Sequence, residues 1–120
     1  MTIKCGVDLV YLPRFKRSLK SGGENFLRKI YHEQELKKTD TAHLAGIFAA
    51  KEAVIKALSL PIDSWHNIFI IHKPDGQPQV EIISLPAGKA GHKSLIVNHS
   101  LSISHDGNYV IAQFVAILKK

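Results

Sequence analysis

A glutamate and a lysine four positions apart stand out in the most apolar part of the chain. Glu52 and Lys56 lie among alanine, leucine and isoleucine residues, and residues at i and i+4 are neighbours on a helix. Such a pair is commonly an exposed salt bridge that adds little stability. Alternatively, Ala45 and Ala49 on the same stripe leave space for a ligand, so that the carboxylate holds a divalent cation and the ammonium meets a phosphate. Both interpretations are open at this stage.

An aspartate near the start of the chain is a further candidate. Asp8 is either a polar residue at the end of an edge strand or, where it meets Glu52, a second hard oxygen ligand. Mg²⁺ favours sites with one or two carboxylates, several waters and substrate phosphates. Because the chain has no Walker-type loop and no GxGxxG sequence, phosphate binding here would depend on a metal and on cationic side chains.

A serine-rich segment near the C-terminus ends in a histidine. Ser100, Ser102 and Ser104 share one strand face, and His105 and Asp106 follow. Adjacent residues rarely aim their functional atoms at one another, so a Ser-His-Asp triad is not expected. The segment is either a polar strand face that ends in a turn or a surface of hydroxyls and an imidazole that binds phosphate.

The helices that would position these residues follow from periodicity and caps. The strongest predicted element is a helix from Asp40 or Thr41 through Leu58, with capping residues at 39–41 and Ser59-Leu60-Pro61 after it. A short helix is predicted for Leu12–Lys20, ended by Ser21-Gly22-Gly23, and helical fragments for residues 24–38, the second at 32–38.

The remaining elements are predicted strands. Four apolar residues alternate with mostly polar ones at the N-terminus, which predicts a first strand with this set directed toward the core and Asp8 on the opposite face: Ile3, Cys5, Val7 and Leu9. Two turn sequences, at 74–78 and 106–108, join strands predicted at 67–73, 79–84, 95–104 and 109–118. Residues 86–92 form either a weak helix or a loop. One strand, then helices, then two hairpins indicates an α+β fold, with one long helix and short helices packed on a mainly antiparallel sheet.

Length and composition limit the class of protein. The chain has 120 residues, which predicts a single domain over residues 1–120. One cysteine, Cys5, excludes an intrachain disulfide and agrees with a reducing compartment. With no signal-like segment and no uncharged apolar span, the sequence predicts a cytoplasmic protein that does not enter the membrane.

The charge balance predicts an anionic partner. The chain carries 16 basic and 10 acidic residues, a formal net charge of +6, which attracts polyanions. Four basic residues without an acid follow the first strand and form either a solvated face or a docking surface: Arg14, Lys16, Arg17 and Lys20. Because no basic run is interleaved with aromatic residues, nucleic acid is not the expected partner.

Three segments in order resemble a known family. They are Gly6-Val7-Asp8-Leu9-Val10 with Arg14-Phe15, the stretch from Leu44-Ala45-Gly46 through Lys56-Ala57-Leu58, and Ser102-Ile103-Ser104-His105 with Tyr109 and Ala112-Gln113. Together, from Ile3 to about Val115, they resemble the short-form 4'-phosphopantetheinyl transferases, known as holo-(acyl-carrier-protein) synthases. Ile47 departs from the pattern, because the family usually has an arginine there.

The resemblance implies an activity and roles for residues. Such enzymes transfer the 4'-phosphopantetheine arm of coenzyme A to a serine of an acidic apo-acyl carrier protein, as in fatty acid biosynthesis, and release adenosine 3',5'-bisphosphate. By motif position, Asp8 and Glu52 would hold Mg²⁺ on the pyrophosphate, and Lys56 would neutralise or protonate the departing phosphate. His105 and Ser104 would help to bind coenzyme A. The partner's serine needs a base, either a water on the metal or a carboxylate such as Glu52.

The resemblance also implies a docking surface and an assembly. The family's carrier protein docks at the position of Arg14, and Arg17 lies on the same basic helix. Short-form relatives are homotrimers with sites between subunits, so a neighbour would supply the strand at 102–105. Either of two faces of the last strand would then be buried between subunits: Val110, Ala112, Phe114 and Ala116, or Ile111, Val115 and Ile117. The competing hypothesis is a non-catalytic basic binding module, but carboxylates in a basic groove would not help polyanion binding.

Overall fold

The fold is described from a computed structural model that covers residues 1–83 and 95–119. Its elements in chain order are β1 (Thr2–Tyr11), α1 (Leu12–Ile30), a first 3-10 turn (Glu33–Leu36), α2 (Thr41–Leu58), a second 3-10 turn (Ser64–Asn67), β2 (Ile68–His72), β3 (Pro78–Ile82), β4 (Ile96–Asp106) and β5 (Tyr109–Leu118). Strands β1, β5 and β4 form one antiparallel sheet in that order, and β2 pairs antiparallel with β3. The predicted α+β class is confirmed.

Helix α2 lies at the centre and matches its prediction. The Asp40 side chain accepts a hydrogen bond from the His43 backbone N–H at 3.2 Å, and Ser59 ends the helix in the left-handed region with a φ of 54°. Its alanine-rich surface lets β1 approach closely: a Cβ on Gly6 would stand 1.9 Å from the Ala53 carbonyl oxygen. Only glycine fits there, and this contact fixes β1 across the C-terminal half of α2.

The orientation of β1 reverses the sequence prediction. Gly6 and Val10 are buried, whereas the alternating apolar set faces outward: Ile3 is 70 % exposed and Leu9 61 %. Asp8 therefore shares the inner face with Gly6. The prediction was wrong because alternation defines two faces without saying which one meets the helix, and the bare Gly6 face is the one that α2 needs.

The outer face of the large sheet is unusually apolar for a surface. It continues from β1 onto β5, where Ile111 and Tyr109 are 42 % and 48 % exposed. The opposite face of β5 is buried in the core against α2: Val110, Ala112, Phe114 and Ala116. Of the two β5 faces predicted to lie between subunits, this core face is excluded, and the Ile111 face is the available one.

Helix α1 is longer than predicted. It continues through Ser21 and Gly22 to Ile30, and its two halves join at Gly23, which has a φ of 56° and a ψ of −143°. The glycine pair therefore kinks the helix instead of ending it, since Gly23 alone takes the left-handed conformation. In the following segment only Glu33–Leu36 is helical, which is shorter than the predicted 32–38 fragment.

A buried ion pair fastens α2 to the segment after α1. The Lys51 ammonium donates to the Glu35 carboxylate at 2.7 Å and to the Ile30 carbonyl oxygen at 2.6 Å. Glu35 also accepts from the backbone N–H groups of His32 and Ile70. Both side chains are fully buried, and burial lowers the pKa of Lys51. Because the hydrogen bonds of Lys51 and Glu35 reach Ile30, His32 and Ile70, the pair links α1, α2 and β2 in one network.

Both predicted hairpins are present. The turn between β4 and β5 places Gly107 at a φ of 56°, and the turn between β2 and β3 places Gly76 at a φ of 90°, so each glycine takes a conformation that other residues avoid. The predicted helix or loop at 86–92 lies outside the described residues. Among the described residues, no helix is both long and apolar enough to cross a membrane.

Candidate active site

Asp8 and Lys56 meet where β1 crosses α2. The Lys56 ammonium lies 3.0 Å from Asp8 Oδ1 and donates to the Val7 carbonyl oxygen at 3.0 Å. The Asp8 side chain is mostly buried, while that of Lys56 is more than half exposed. The expected Glu52–Lys56 salt bridge does not form within the described residues, because Lys56 is held by a carboxylate 48 positions away.

Asp8 and Glu52 form a site with more negative than positive charge. Burial raises the pKa of Asp8, although the Lys56 ammonium acts in the opposite direction. The pKa of Glu52 is also raised, first by burial and then by the negative charge of Asp8. Two half-buried carboxylates therefore lie close to each other beside one ammonium, which pairs with Asp8, and a divalent cation would stabilise this arrangement.

This donor set fits Mg²⁺ better than zinc. No group of three or more His, Cys, Asp or Glu side chains able to hold a metal occurs in the described part of the chain. Two carboxylates leave the other positions to water and substrate phosphates, which is the coordination that Mg²⁺ prefers in proteins. Asp8 and Glu52 are the residues that would hold it.

His105 lies over the other half of α2. Its Nε2 atom is 3.3 Å from the Ala42 carbonyl oxygen, and a Cβ on Gly46 would come within 3.7 Å of the same nitrogen. The ring lines a cavity of about 150 Å³ together with His43 and His72. His105 therefore packs against α2 at Gly46, where an alanine Cβ would meet the ring at an ordinary contact distance.

His43 and His72 were not identified from the sequence as site residues. Their rings lie 5.2 Å apart, and burial lowers the pKa of both. Nothing in the sequence indicates that these two histidines, 29 positions apart, share a cavity. Ile47, at the position where the family usually has an arginine, is buried and contributes to the same wall.

Several predicted site residues are not brought together within one chain. Ser104 lies on the outer sheet face with Ser102, opposite Ile111, whereas His105 is on the α2 side. From Ala42, beside His105, to Glu52 the helix rises about 15 Å. Ala45 and Ala49 are fully buried in the core, so the ligand space predicted on their stripe is absent.

A cleft connects the basic half of α1 with Asp8. This cavity of about 240 Å³ lies between β1, α1 and α2, and its wall includes Asp8, Arg14, Phe15, Phe26 and Phe48. The Arg14 guanidinium lies 5.7 Å from the centre of the Tyr11 ring, and Arg17 is exposed. The cleft therefore offers an apolar floor with positive charge at its edge and a carboxylate at its end.

Comparison with known proteins decides the family. The model of the 4'-phosphopantetheinyl transferase superfamily matches residues 4–113. The chain belongs to this superfamily. The resemblance seen in the three motifs is thereby confirmed, and the match includes Asp8, Glu52, Lys56 and His105.

The most similar 4'-phosphopantetheinyl transferases include curated and solved proteins. A holo-[acyl-carrier-protein] synthase of Dehalococcoides mccartyi is 41% identical over 92% of this chain and 95% of its own, and one from Caldanaerobacter subterraneus is 36% identical over 98% and 96%. The ACPS–CoA complex of Chronobacterium ammoniagenes superposes with a TM-score of 0.83 at 30% identity, covering 100% of both chains. The Helicobacter pylori holo-[acyl-carrier-protein] synthase in complex with coenzyme A gives 0.81 at 32% identity, over 94% and 99%.

Proposed function

We propose that this chain transfers the 4'-phosphopantetheine group of coenzyme A to a serine of apo-acyl carrier protein and is Mg²⁺-dependent. The observation that carries the proposal is the meeting of Asp8 and Lys56 beside Glu52, in a chain of the 4'-phosphopantetheinyl transferase superfamily. Residues 1–120 would act as one domain, and the cytoplasmic location stays a prediction.

The chemistry follows from positioning and charge. Asp8 and Glu52 would hold Mg²⁺, which supplies positive charge to the phosphate oxygens when it is bound. The carrier serine oxygen bonds to the phosphorus of the phosphopantetheine group, and the anhydride bond to adenosine 3',5'-bisphosphate breaks. Lys56, with its ammonium at the open edge of the site, would give a proton to the departing phosphate oxygen. The serine proton would pass to a base at the same place, either a water held beside the carboxylates or a carboxylate such as Glu52.

The cavity beside His105 is the proposed place for part of coenzyme A. It is lined by three imidazoles and by the turn at Gly76. The imidazole N–H groups would donate hydrogen bonds to phosphate. His105 would contribute directly. Ser104 would contribute only at a subunit boundary, because its hydroxyl lies on the outer sheet face.

A homotrimer would complete the site. The two halves of the proposed machinery lie at opposite ends of α2, and the outer sheet face carries exposed apolar side chains on β1 and β5. A second and a third copy of the chain are the partners that suit this face, since three head-to-tail contacts close a ring. Asp8, Glu52 and Lys56 of one subunit would then face the His105 strand of the next.

The acidic carrier protein would dock at the cleft beside α1. Arg14 and Arg17 supply positive charge, and the apolar wall formed by Phe15, Phe26 and Phe48 would bury a side chain next to the incoming serine. This surface leads directly to Asp8, so a docked carrier would present its serine to the carboxylates.

Mass spectrometry of the carrier protein tests the function. Apo-acyl carrier protein incubated with the chain, coenzyme A and Mg²⁺ should gain the mass of one phosphopantetheine arm, and neither EDTA-treated samples nor a carrier with its serine changed to alanine should gain it. If several candidate carrier proteins all keep their original mass, the proposed transfer is contradicted. A mass gain that persists in EDTA would contradict the proposed Mg²⁺ dependence but not the transfer itself.

A further inference from the structure

The single tryptophan lies against the helix face that carries Glu52. The second 3-10 turn, Ser64–Asn67, follows α2 and packs against it. Its Trp65 ring lies 6.1 Å from the ring of Phe48, at an interplanar angle of 40°. Since Phe48 precedes Glu52 by one helical turn, the indole covers the surface directly beside the carboxylate.

The indole N–H has no hydrogen-bond acceptor among the described residues. Its nitrogen is buried, and a buried donor without an acceptor costs about 1–3 kcal/mol. The Glu52 carboxylate is an acceptor close enough for Trp65 to lower its pKa, although the two groups do not form a hydrogen bond in this structure. The terminal torsion of a glutamate is broad, so the carboxylate is free to rotate toward a neighbouring donor.

We propose that Trp65 is a positioning residue whose indole N–H donates to one carboxylate oxygen of Glu52 and leaves the other oxygen for Mg²⁺. This inference rests on the proposed function for its metal. An indole suits the task because it is neutral: it orients the carboxylate without competing with a cation, whereas a second lysine would. Lys56 is already engaged by Asp8 and Val7, so Glu52 depends on a different donor.

The chain offers a direct readout, because its one tryptophan gives one indole N–H signal in a ¹H–¹⁵N spectrum. The spectrum is recorded on the full chain without coenzyme A or carrier protein. We expect the indole signal to move in Glu52→Ala, which removes the acceptor, and to move on addition of Mg²⁺ to the wild type. An indole signal unchanged by Glu52→Ala would overturn the proposal.

Calorimetric titration with Mg²⁺ alone measures the consequence. Trp65→Phe keeps an aromatic ring and loses the N–H, so its dissociation constant for Mg²⁺ should rise by about 10- to 100-fold, the range for a lost contact to a metal ligand. In transfer assays the same variant should raise the apparent KM for Mg²⁺ while kcat at saturating Mg²⁺ changes much less. An unchanged affinity for Mg²⁺ would contradict the proposal.

Phe48→Leu is the matched control for packing. It disturbs the ring contact but keeps the N–H, so it should lower the melting temperature and leave Mg²⁺ affinity within about twofold. An equal loss of affinity in both variants would show that Trp65 acts through packing alone and would overturn its role as a donor. The indole signal is independent of catalysis. A chain that fails to modify carrier protein but shows the Glu52-dependent signal would refute the proposed transfer and leave this contact standing.

Discussion

At the scale of single residues, the motifs predicted the members of the site but not its pairing. Glu52 and Lys56 were correctly placed on one helix, yet the i, i+4 rule assigned Lys56 to the wrong carboxylate. Helical spacing describes neighbours on one element only. Lys56 instead pairs with Asp8, which lies on a strand 48 positions away. A local sequence pattern cannot predict a contact between residues so far apart.

The same reason explains the residues that the sequence did not identify. Lys51 was not identified from the sequence as a structural residue, although it is fully buried and paired with Glu35. His43 joins His72 through a tertiary contact. A lysine that follows two alanines within an apolar helix was the available signal for Lys51, and no signal was available for the contact between His43 and His72.

The first prediction concerns the two carboxylates. Glu52→Gln should reduce transfer by about 100- to 1000-fold, the loss typical of one electrostatic group in an active site. Its melting temperature should stay within about 3 °C of the wild type, because glutamine matches glutamate in size and helix propensity at this half-buried position. Asp8→Asn should behave alike. Mass spectrometry of the carrier and thermal unfolding measure the two effects, and near-normal transfer in either variant would refute the metal assignment.

The second prediction concerns docking. Arg14→Glu should raise the apparent KM for carrier protein by about 10-fold, or about 1.4 kcal/mol, and leave that for coenzyme A nearly unchanged. The salt dependence of the carrier KM should become flatter because an attractive charge is lost. Lys119→Glu is the matched control, since it makes the same charge change at an exposed position outside the cleft. Equal effects of Arg14→Glu on both substrates would exclude the docking role.

At the scale of elements, most helices and strands could be predicted because their signals are local. The bounds of α2 and β5 follow from caps, turns and periodicity. The inward face of β1 could not be predicted, because its apolar set is directed away from the core of its own chain. Gly6 was the informative residue: a strand position without a side chain indicates where another backbone approaches.

The third prediction tests that close approach. Gly6→Ala should destabilise the chain by about 3 kcal/mol, at the upper end of the cost of overpacking, because its Cβ would overlap the Ala53 carbonyl group. Gly46→Ala is the matched control: its Cβ would meet the nearest atom, Ile103 Cγ2, at an ordinary 3.4 Å, and alanine favours the helix by about 1 kcal/mol. Denaturant unfolding compares the two. A Gly6→Ala chain as stable as Gly46→Ala would contradict the described packing of β1 on α2.

At the scale of the whole molecule, the proposed assembly would explain two features: the exposed apolar face of β1 and the distance between His105 and Glu52. The alternating apolar residues of β1 were predicted to face the core of the chain. They would be buried if this face of the sheet lies against a second subunit. Exposed Val7, Leu9 and Ile111 on one sheet face form the kind of continuous apolar patch that marks an interface. The separation of His105 from Glu52 along α2 agrees with the proposed assembly, in which a neighbouring subunit would bring its His105 strand to the carboxylates.

The last prediction therefore concerns assembly. We expect a trimer by light scattering and only residual activity from Glu52→Gln or His105→Ala chains alone. After co-refolding of equal amounts, about a quarter of the sites should combine an intact Glu52 with an intact His105 from the neighbour, because each site draws its two halves from different chains at random. Transfer should recover to a comparable fraction of the wild type.

The control is the same mixture of Glu52→Gln and His105→Ala chains, with Ile111→Asp added to both. The aspartate places a charge in the outer sheet face, where desolvation would oppose association, while the intrachain core on the other side of β5 is untouched. This pair should run as monomers and regain no activity on mixing. A fully active monomer would show that the site is complete within one chain, whereas recovery that survives Ile111→Asp would show that the subunits associate through another face. The outer face would then need another occupant.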